Sequence, residues 1–368
     1  MRVGLTKETA PGERRVALTP DSVARLGKTG IAFDVQSGAG DDAGYPDSAY
    51  EKAGATMLSD AQSVFQSATL IVKVRRPSLD EAMSLKAGTV LVALLQPASS
   101  SDLLTSLTQR GVTALSLELV PRITRAQSMD VLSSQSTVAG YKAVLLGAAA
   151  LGKLLPMLTT AAGTLAPARA FVIGAGVAGL QAIATARRLG AVVSGFDVRA
   201  AAREQVQSLG ATFLSAEIAT PDAEDKGGYA KSQSDEQHRM TLEAIASHIR
   251  DQDLVVTTAL IPGKAAPVLI TREMVHSMKT GSVIVDLAAE AGGNCALTQA
   301  GETIAVNGVT IIGATNLPAT VPLHASQMFS RNVETLIKHL AKDGNVAIDP
   351  ADEIVGPMIV TRKQVADG

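Results

Sequence analysis

The stretch ARAFVIGAGVAGLQAIATARRLGAVVSGFD, from Ala168 to Asp197, decides the fold. A short apolar run leads into the glycines Gly174, Gly176 and Gly179, a helical pattern follows, and a second apolar run ends at Asp197. Glycines at the turn between a strand and a helix, with an acid about 20 residues further on, are typical of a dinucleotide-binding βαβ unit. The stretch therefore predicts a Rossmann-type unit with a diphosphate at the helix N-terminus.

The residues of this unit have separate expected roles. Gly174 permits the tight turn, Gly176 lets the backbone approach a pyrophosphate, and Gly179 lets the helix pack closely on the strand. Asp197 would accept hydrogen bonds from the adenosine ribose hydroxyls, and its charge would repel a 2′-phosphate, which favours NAD over NADP. Arg199 is the opposing feature, because an arginine near this position accommodates a 2′-phosphate in other proteins.

Composition and charge exclude several other classes of protein. The 368 residues suit two domains, and the net charge of −2 gives no reason to expect a nucleic-acid partner. The most apolar region, 143–166, is interrupted by Lys153 and Pro156, so we expect no direct membrane insertion. A charged start in place of a secretory signal indicates a cytoplasmic protein. The single cysteine, Cys295, predicts a small buried hydrophobe, and no ligand spacing suggests a metal site.

Apolar runs of strand length alternate with polar helical stretches along the chain, which indicates parallel sheets with helices on both faces. The predicted fold class is α/β, with two Rossmann-like parallel-sheet domains joined by long helices. An N-terminal, flavodoxin-like domain is expected at 1–136 plus about 323–368, and a dinucleotide domain at 137–322 with a long loop at about 221–239. Strands are predicted at 3–5, 31–35, 70–74, 90–95, 112–117, 171–173, 211–214, 254–258, 283–286 and 310–312, and long helices at about 138–151 and 323–340.

Segments over nearly the whole chain resemble the NAD(H)-binding domain of the proton-translocating NAD(P) transhydrogenase alpha subunit and, more distantly, alanine dehydrogenase. The most specific are PRITRAQSMD at 121–130 and GGYAK at 227–231, which look like the transhydrogenase nucleotide loop and mobile loop. The others are RVGLTKETAPGERRVALTP (2–20), VIGAGVAGLQAIATARRLGAVVSGFDVR (172–199), TTALIPGKAAPVLI (257–270) and VDLAAEAGGNC (285–295).

The resemblance implies Arg122, Gln127, Asp130 and Ser133 as the catalytic group around the nicotinamide and its ribose. Arg122 can pair with Asp130 and hold the loop, while the Gln127 amide can donate and accept towards ribose hydroxyls or the carboxamide. The alternative is an exposed ion pair of little consequence. The implied cofactor-binding residues are Gly174, Ala175, Gly176, Val177, Ala178, Gly179, Asp197, Val198, Arg199, Gly228, Tyr229, Thr258, Ala259 and Leu260.

Alanine dehydrogenase is the main alternative, because it shares the fold and the cofactor. Amino-acid oxidation releases a proton, so that enzyme needs an acid/base group and a cationic anchor, which the family supplies as a histidine and a lysine. Here LLQP puts Gln96 at the histidine position and VKVR puts Arg75 at the lysine position. Arg15 is retained, and Glu290 stands where the dehydrogenase has an aspartate. Amino-acid chemistry is therefore not expected, while an NAD-binding module without catalysis stays open.

The transhydrogenase resemblance also implies partners. They are a beta subunit with an NADP(H)-binding domain, a membrane-spanning subunit that conducts protons, and a second copy of this chain in a homodimer. The implied reaction is direct hydride transfer between NADH and NADP⁺, coupled to proton movement and dependent on these partners. The implied location is the cytoplasmic face of the inner membrane, reached through the partner subunits.

Overall fold

A computed structural model describes residues 1–214, 234–260 and 264–361, so the predicted loop residues Gly228 and Tyr229 lie outside the described residues. The chain divides into two compact units. Unit 1 is Met1–Gln135 together with the chain from Pro318 onward, and unit 2 is Ser136–Leu317. The sequence analysis placed the domain boundaries after residues 136 and 322.

The elements alternate as an α/β protein requires. The strands are β1 (Arg2–Leu5), β2 (Ala32–Gln36), β3 (Thr56–Leu58), β4 (Leu70–Arg75), β5 (Val90–Leu94), β6 (Thr113–Ser116), β7 (Leu158–Thr160), β8 (Gly163–Leu165), β9 (Arg169–Ile173), β10 (Val192–Phe196), β11 (Thr212–Phe213), β12 (Leu254–Thr257), β13 (Val283–Asp286), β14 (Thr303–Val306), β15 (Val309–Gly313), β16 (Ala341–Lys342) and β17 (Asn345–Val346). The α-helices are α1 (Pro20–Gly27), α2 (Asp47–Lys52), α3 (Ala61–Ser67), α4 (Leu79–Ser84), α5 (Ser101–Gln109), α6 (Val131–Ala150), α7 (Val177–Arg188), α8 (Ala202–Ser208), α9 (Asp235–Ile249), α10 (Arg272–Ser277), α11 (Pro322–Leu340) and α12 (Val355–Met358).

Unit 1 contains a parallel sheet in the order β3-β2-β1-β4-β5-β6. This order, 3-2-1-4-5-6 in chain numbering, is that of a doubly wound Rossmann sheet, and the expected flavodoxin-like order 2-1-3-4-5 is obtained only when the edge strand β3 is left out. The sequence analysis did not predict β3, because this three-residue edge strand is too short to show a period. The topology reverses between β1 and β4, so their carboxyl ends form the switch point of the unit.

Unit 2 contains a sheet in the order β11-β10-β9-β12-β13-β15-β14, parallel except for β14. Alternate residues of its central strands belong to two different apolar clusters: Val172 packs in one, while Phe171 and Ile173 pack in the other. Both faces are therefore buried, which explains why the strands read as continuous apolar runs. The switch point lies between β9 and β12, next to the glycine turn. The α/β fold class predicted from the sequence is confirmed.

The first residues of α1 and α6 show how the two helices begin, and the start of α6 differs from its prediction. Thr19 occupies the N-cap position of α1 with Pro20 after it, but the Thr19 hydroxyl makes no capping bond and instead lies 3.3 Å from the Ser330 hydroxyl. The connecting helix α6 begins at Val131 rather than about 138, because the Asp130 carboxylate accepts from the N–H and the hydroxyl of Ser133 and stabilises a polar first turn. At the start of α4, Ser78 and Glu81 form the capping box that the sequence SLDE at 78–81 predicts.

Several short pairings escaped the sequence analysis. The edge strand β14 has only exposed and half-buried residues, and the hairpin β7–β8 is exposed at every position. Burial does not impose a period on such strands, so their pairing is visible only in the fold. In the part of the chain that the structure describes, no helix combines the length and the hydropathy needed to cross a bilayer.

Candidate functional site

Two of the three glycines in the turn after β9 are required by the protein itself. Gly174 has φ +94°, and a Cβ atom there would lie 2.7 Å from the Thr258 hydroxyl. A Cβ at Gly179 would lie 1.8 Å from the carbonyl oxygen of Gly174. The first glycine therefore serves the left-handed turn, and the last serves the close approach of α7 to β9, as the sequence analysis expected.

Gly176 is different, because no contact with the residues that the structure describes requires a glycine there. Its φ of −77° suits any residue, and among those residues, its chain neighbours apart, the nearest atom to a Cβ at this position would be Nη2 of Arg199, at 4.0 Å. The first bond of α7 runs from the Leu180 N–H to the Gly176 carbonyl at 2.8 Å, so the N–H groups of Val177 and Ala178 precede it. Free space beside a helix N-terminus fits a nucleotide diphosphate.

Asp197 follows β10 and lies beside the same turn. Its Oδ2 accepts from the Ala175 N–H at 2.7 Å, and its Oδ1 accepts from the backbone N–H and Nε of Arg199, both at 2.9 Å. The Arg199 Nη2 completes an ion pair with Oδ2 at 2.9 Å. Since Asp197 is only 8% exposed, its carboxylate is held in one orientation. The sequence predicted an acidic residue at this position, but it did not predict that the residue pairs with Arg199. Val198, between them, is half-buried against the apolar cluster of Phe171.

The segment 258–260 follows β12 on the other side of the switch point. The Thr258 hydroxyl donates to the Gly174 carbonyl at 3.0 Å, Ala259 is half-buried, and Leu260 is 46% exposed. The side chain of Asn294 bonds both backbone polar groups of Ala259. No role was expected for Asn294, although it is part of the motif VDLAAEAGGNC; an asparagine directly after two glycines was the available signal.

The four predicted catalytic residues lie together in unit 1. A cavity of about 340 Å³ is lined by Pro121, Arg122, Gln127, Asp130 and Ser133. Arg122 and Gln127 are exposed, whereas Asp130 and Ser133 are half-buried. Amides, guanidinium, carboxylate and hydroxyl groups can orient a ribose or a carboxamide by hydrogen bonds.

The loop that carries these residues is held by packing against the core of unit 1 and by hydrogen bonds from α11. The 3-10 helix Thr124–Met129 buries Ala126 and Met129 in the apolar core of unit 1. From α11, Asn332 donates to the Ser128 carbonyl at 2.8 Å and accepts from the Ser134 hydroxyl at 2.7 Å. The bonds from Ser133 to Asp130, at 2.9 and 2.6 Å, place that carboxylate at the start of α6. The predicted pairing of Arg122 with Asp130 stays a prediction.

Four residues stand at positions that resemble functional residues of alanine dehydrogenase, and three of them contact glutamate side chains of this chain. The Arg15 side chain is 3% exposed and pairs with both carboxylate oxygens of Glu13, at 2.8 and 2.7 Å, while its Nη1 donates to Gln135 at 2.8 Å. Gln96 has φ +50° and its N–H donates to Glu118 at 2.8 Å. Arg75 is half-buried, with Nε 3.9 Å from Glu13, and Glu290 is exposed on a short 3-10 helix.

A second group of buried charges contains Lys73 and Glu8. Lys73 is 1% exposed, and its Nζ donates to Glu81 at 3.0 Å and to the Thr6 hydroxyl at 3.2 Å. Burial raises the pKa of Glu8 above its ordinary value, although the charge of Lys73 and the N–H groups of Val74 and Arg75 oppose that rise. Within the described ranges, no group of three or more histidine, cysteine, aspartate or glutamate residues is placed to hold a metal ion. Cys295 is buried, as predicted.

Comparison with known proteins places this geometry in a family. Models of the alanine dehydrogenase/PNT N-terminal and C-terminal domains match residues 4–139 and 143–366. The chain is 47% identical over 370 residues to an NAD(P) transhydrogenase subunit alpha protein of Rhodospirillum rubrum, covering 98% of this chain and 96% of that protein. Alanine dehydrogenase of Bacillus subtilis is 32% identical, covering 88% of this chain and 81% of that one.

A solved structure agrees with the sequence comparison. The crystal structure of transhydrogenase from Sinorhizobium meliloti superposes with a TM-score of 0.89 at 44% identity, covering 98% of both chains. The resemblance to the transhydrogenase alpha subunit, and the more distant one to alanine dehydrogenase, are thereby confirmed. The chain belongs to the alanine dehydrogenase/PNT family.

Proposed function

We propose that this chain is the NAD(H)-binding component of a proton-translocating transhydrogenase. In this role it holds NADH while a hydride passes directly to NADP⁺ bound on a partner subunit. The observation that carries the proposal is the composition of the cavity at Arg122, Gln127, Asp130 and Ser133: none of the side chains lining it has an ordinary pKa near 7. Such a site suits a reaction that needs orientation of two rings and no proton transfer at the reacting carbons.

The proposed roles follow the chemistry of each group. In unit 2, the diphosphate would lie in the space at Gly176, where the N–H groups of Val177 and Ala178 would donate hydrogen bonds to it. Asp197 would accept hydrogen bonds from the hydroxyls of the adenosine ribose. In unit 1, the Gln127 amide would orient the nicotinamide side of the nucleotide. When bound, NADH supplies the hydride, and the residues of this chain bind, orient and exclude water. Gly228 and Tyr229 are proposed, on family resemblance alone, to cover the adenosine side.

The proposed partners are a beta subunit that binds NADP(H), a membrane-spanning subunit and a second copy of this chain. The exposed hairpin β7–β8 and its surroundings favour the homodimer, because Met157, Leu158 and Leu165 are 64%, 42% and 55% exposed. The protein would then be peripheral on the cytoplasmic face of the inner membrane, held there by its partners.

One assay separates this function from its two alternatives. The full chain is incubated with NADH and the oxidised acetylpyridine analogue of NAD, with and without NADP(H)-loaded partner subunits, and separately with NAD⁺ and L-alanine. We expect nucleotide binding by the chain alone, and reduction of the analogue only with the partners. NADH formation from alanine would establish the dehydrogenase instead. Binding without reduction in any mixture would establish a non-catalytic NAD-binding module.

The residues at the dehydrogenase-like positions do not favour alanine dehydrogenase activity. Its cationic anchor would be the lysine, but this chain has Arg75 at that position, half-buried with its Nε 3.9 Å from Glu13. At the histidine position, Gln96 cannot accept a proton near neutral pH. Both observations weigh against amino-acid oxidation.

A further inference from the structure

The segment 258–260, which we call the β12 loop, follows strand β12, which ends at Thr257. Its first residue, Thr258, still bonds the backbone of β9, and Ala259 is then bonded by one side chain. The Oδ1 of Asn294 accepts from the Ala259 N–H at 3.0 Å, and its Nδ2 donates to the Ala259 carbonyl at 2.8 Å. The same Nδ2 donates to the Pro267 carbonyl at 2.8 Å. The amide therefore sets the path of the backbone next to the switch point.

The β12 loop is in turn bonded to the glycine turn. The Thr258 N–H donates to the Ile173 carbonyl at 2.8 Å, and the Thr258 hydroxyl donates to the Gly174 carbonyl at 3.0 Å. The Gly174 carbonyl is also the atom that a Cβ at Gly179 would strike at 1.8 Å. Any shift of the loop therefore moves the turn that begins α7.

Asn294 itself has no freedom to relax. It is fully buried, and its N–H donates to Oδ2 of Asp286 at 2.7 Å. The Asp286 carboxylate, also fully buried, accepts from four further groups at 2.6 to 3.0 Å, namely the hydroxyls of Thr257 and Thr298 and the N–H groups of Ala288 and Cys295. Charge-assisted bonds of this kind hold both ends of the motif 286–295 in one geometry.

We propose that Asn294 is a positioning residue for nucleotide binding: it sets the β12 loop and, through Thr258, the glycine turn that receives the diphosphate. The inference rests on the proposed function, since it assigns the turn to NADH. Only an amide meets the requirement, because it offers one acceptor to an N–H and two donors to carbonyl groups. A carboxylate of the same shape would face two carbonyl oxygens without a proton to donate.

The test is the affinity of the full chain for NADH, measured by calorimetry with Asn294→Asp. We expect a roughly tenfold weaker Kd, because the loop and the turn are displaced while no ligand contact is removed. With the partner subunits added, KM for NADH should rise while kcat at saturation stays within about twofold. A merely structural role would lower the active fraction, and hence kcat, and leave KM unchanged.

The matched control is Gln252→Glu. Gln252 is a buried amide just before the amino end of β12, where its Nε2 donates to the His248 carbonyl at 3.0 Å. The Gln252→Glu variant also replaces a buried amide by a carboxylate in unit 2, but away from the switch point. Its Kd for NADH should stay within about twofold of the wild-type value. An equal loss of affinity in both variants would overturn the inference.

A second variant keeps the inference testable if Asn294→Asp does not fold. Thr258→Val retains Asn294 and removes only the hydroxyl bond to Gly174, so we expect about fivefold weaker NADH binding. Unchanged affinity in a folded Asn294→Asp or Thr258→Val chain, beside a wild-type chain that binds NADH, overturns the inference and leaves the proposed function standing. A wild-type chain that binds no NADH overturns both.

Discussion

The two sheets of this chain end differently at the edge where open α/β sheets receive ligands. At that edge in unit 1, buried charges pair with one another: Arg15 with Glu13, and Lys73 with Glu81. At the corresponding edge in unit 2, the nearest atom to a Cβ at Gly176 is 4.0 Å away, among the described residues other than its chain neighbours. One architecture thus has one edge closed by its own side chains and one edge open for a ligand.

The largest effect is expected from breaking a closed pair. Arg15→Met would leave the Glu13 carboxylate, whose side chain is 0% exposed, without its bidentate partner. We expect a loss of about 3 to 5 kcal/mol in the free energy of unfolding, measured by urea denaturation at pH 7. The control is Arg125→Met, which removes an exposed pair with Glu353 and should change stability little. Equal effects of the two variants would refute the closed-edge interpretation.

Acid should weaken unit 1 through Glu334, whose carboxylate pairs with Arg25 and Lys338. Burial alone would raise the pKa of Glu334, but bonds from Arg25, Lys338 and Ser22 outweigh it and lower that pKa to about 2. A lowered folded-state pKa gives stability that is complete above the ordinary value of 4.5 and is lost as the pH falls towards about 2. The contribution is about 2 kcal/mol, read from urea midpoints across that range.

The matched variant for this pH dependence is Glu334→Gln. It removes the titrating group, so its free energy of unfolding should fall less steeply between pH 4.5 and 2 than that of the wild-type chain. Parallel pH profiles for the two chains would show that other carboxylates carry the acid response.

The open edge is tested by adding one methyl group. Gly176→Ala introduces a Cβ into the free space at an ordinary φ of −77°, so the fold should be retained while NADH binds about tenfold more weakly. Gly179→Ala is the comparison, because its Cβ would overlap the Gly174 carbonyl and should destabilise the fold by about 3 kcal/mol. Normal NADH binding by Gly176→Ala would mean that the space is not the diphosphate site.

The smallest effect concerns the cavity in unit 1. Gln127→Asn shortens the amide by one methylene, so NADH binding should persist while hydride transfer with the partner subunits slows by about fivefold. Stopped-flow reduction of the acetylpyridine analogue measures the transfer step, and calorimetry measures binding. A proportionate loss of both would remove the proposed orienting role of Gln127.

Local pattern was sufficient for the elements with strong periods. The βαβ unit at 168–197, the capping box at Ser78 and the central strands follow from apolar runs, glycine spacing and cap chemistry, and the structure has them. Local pattern failed where burial is weak or the element is short. The three-residue strand β3 and the exposed hairpin β7–β8 have no period, and α6 begins seven residues before the apolar run that predicted it because Asp130 caps a polar first turn.

The sequence by itself determined which residue types stand at the candidate sites: the three glycines and the acid at 197 in unit 2, and the polar loop at 121–130 in unit 1. Only the tertiary structure decided how they are held, because the deciding bonds join residues far apart in the chain. Asp197 accepts from the Ala175 N–H, 22 residues earlier, and the Asn294 amide bonds Ala259, 35 residues earlier. A side chain's hydrogen-bond partner depends on which backbone groups the fold leaves unpaired, and that is set by packing rather than by spacing along the chain.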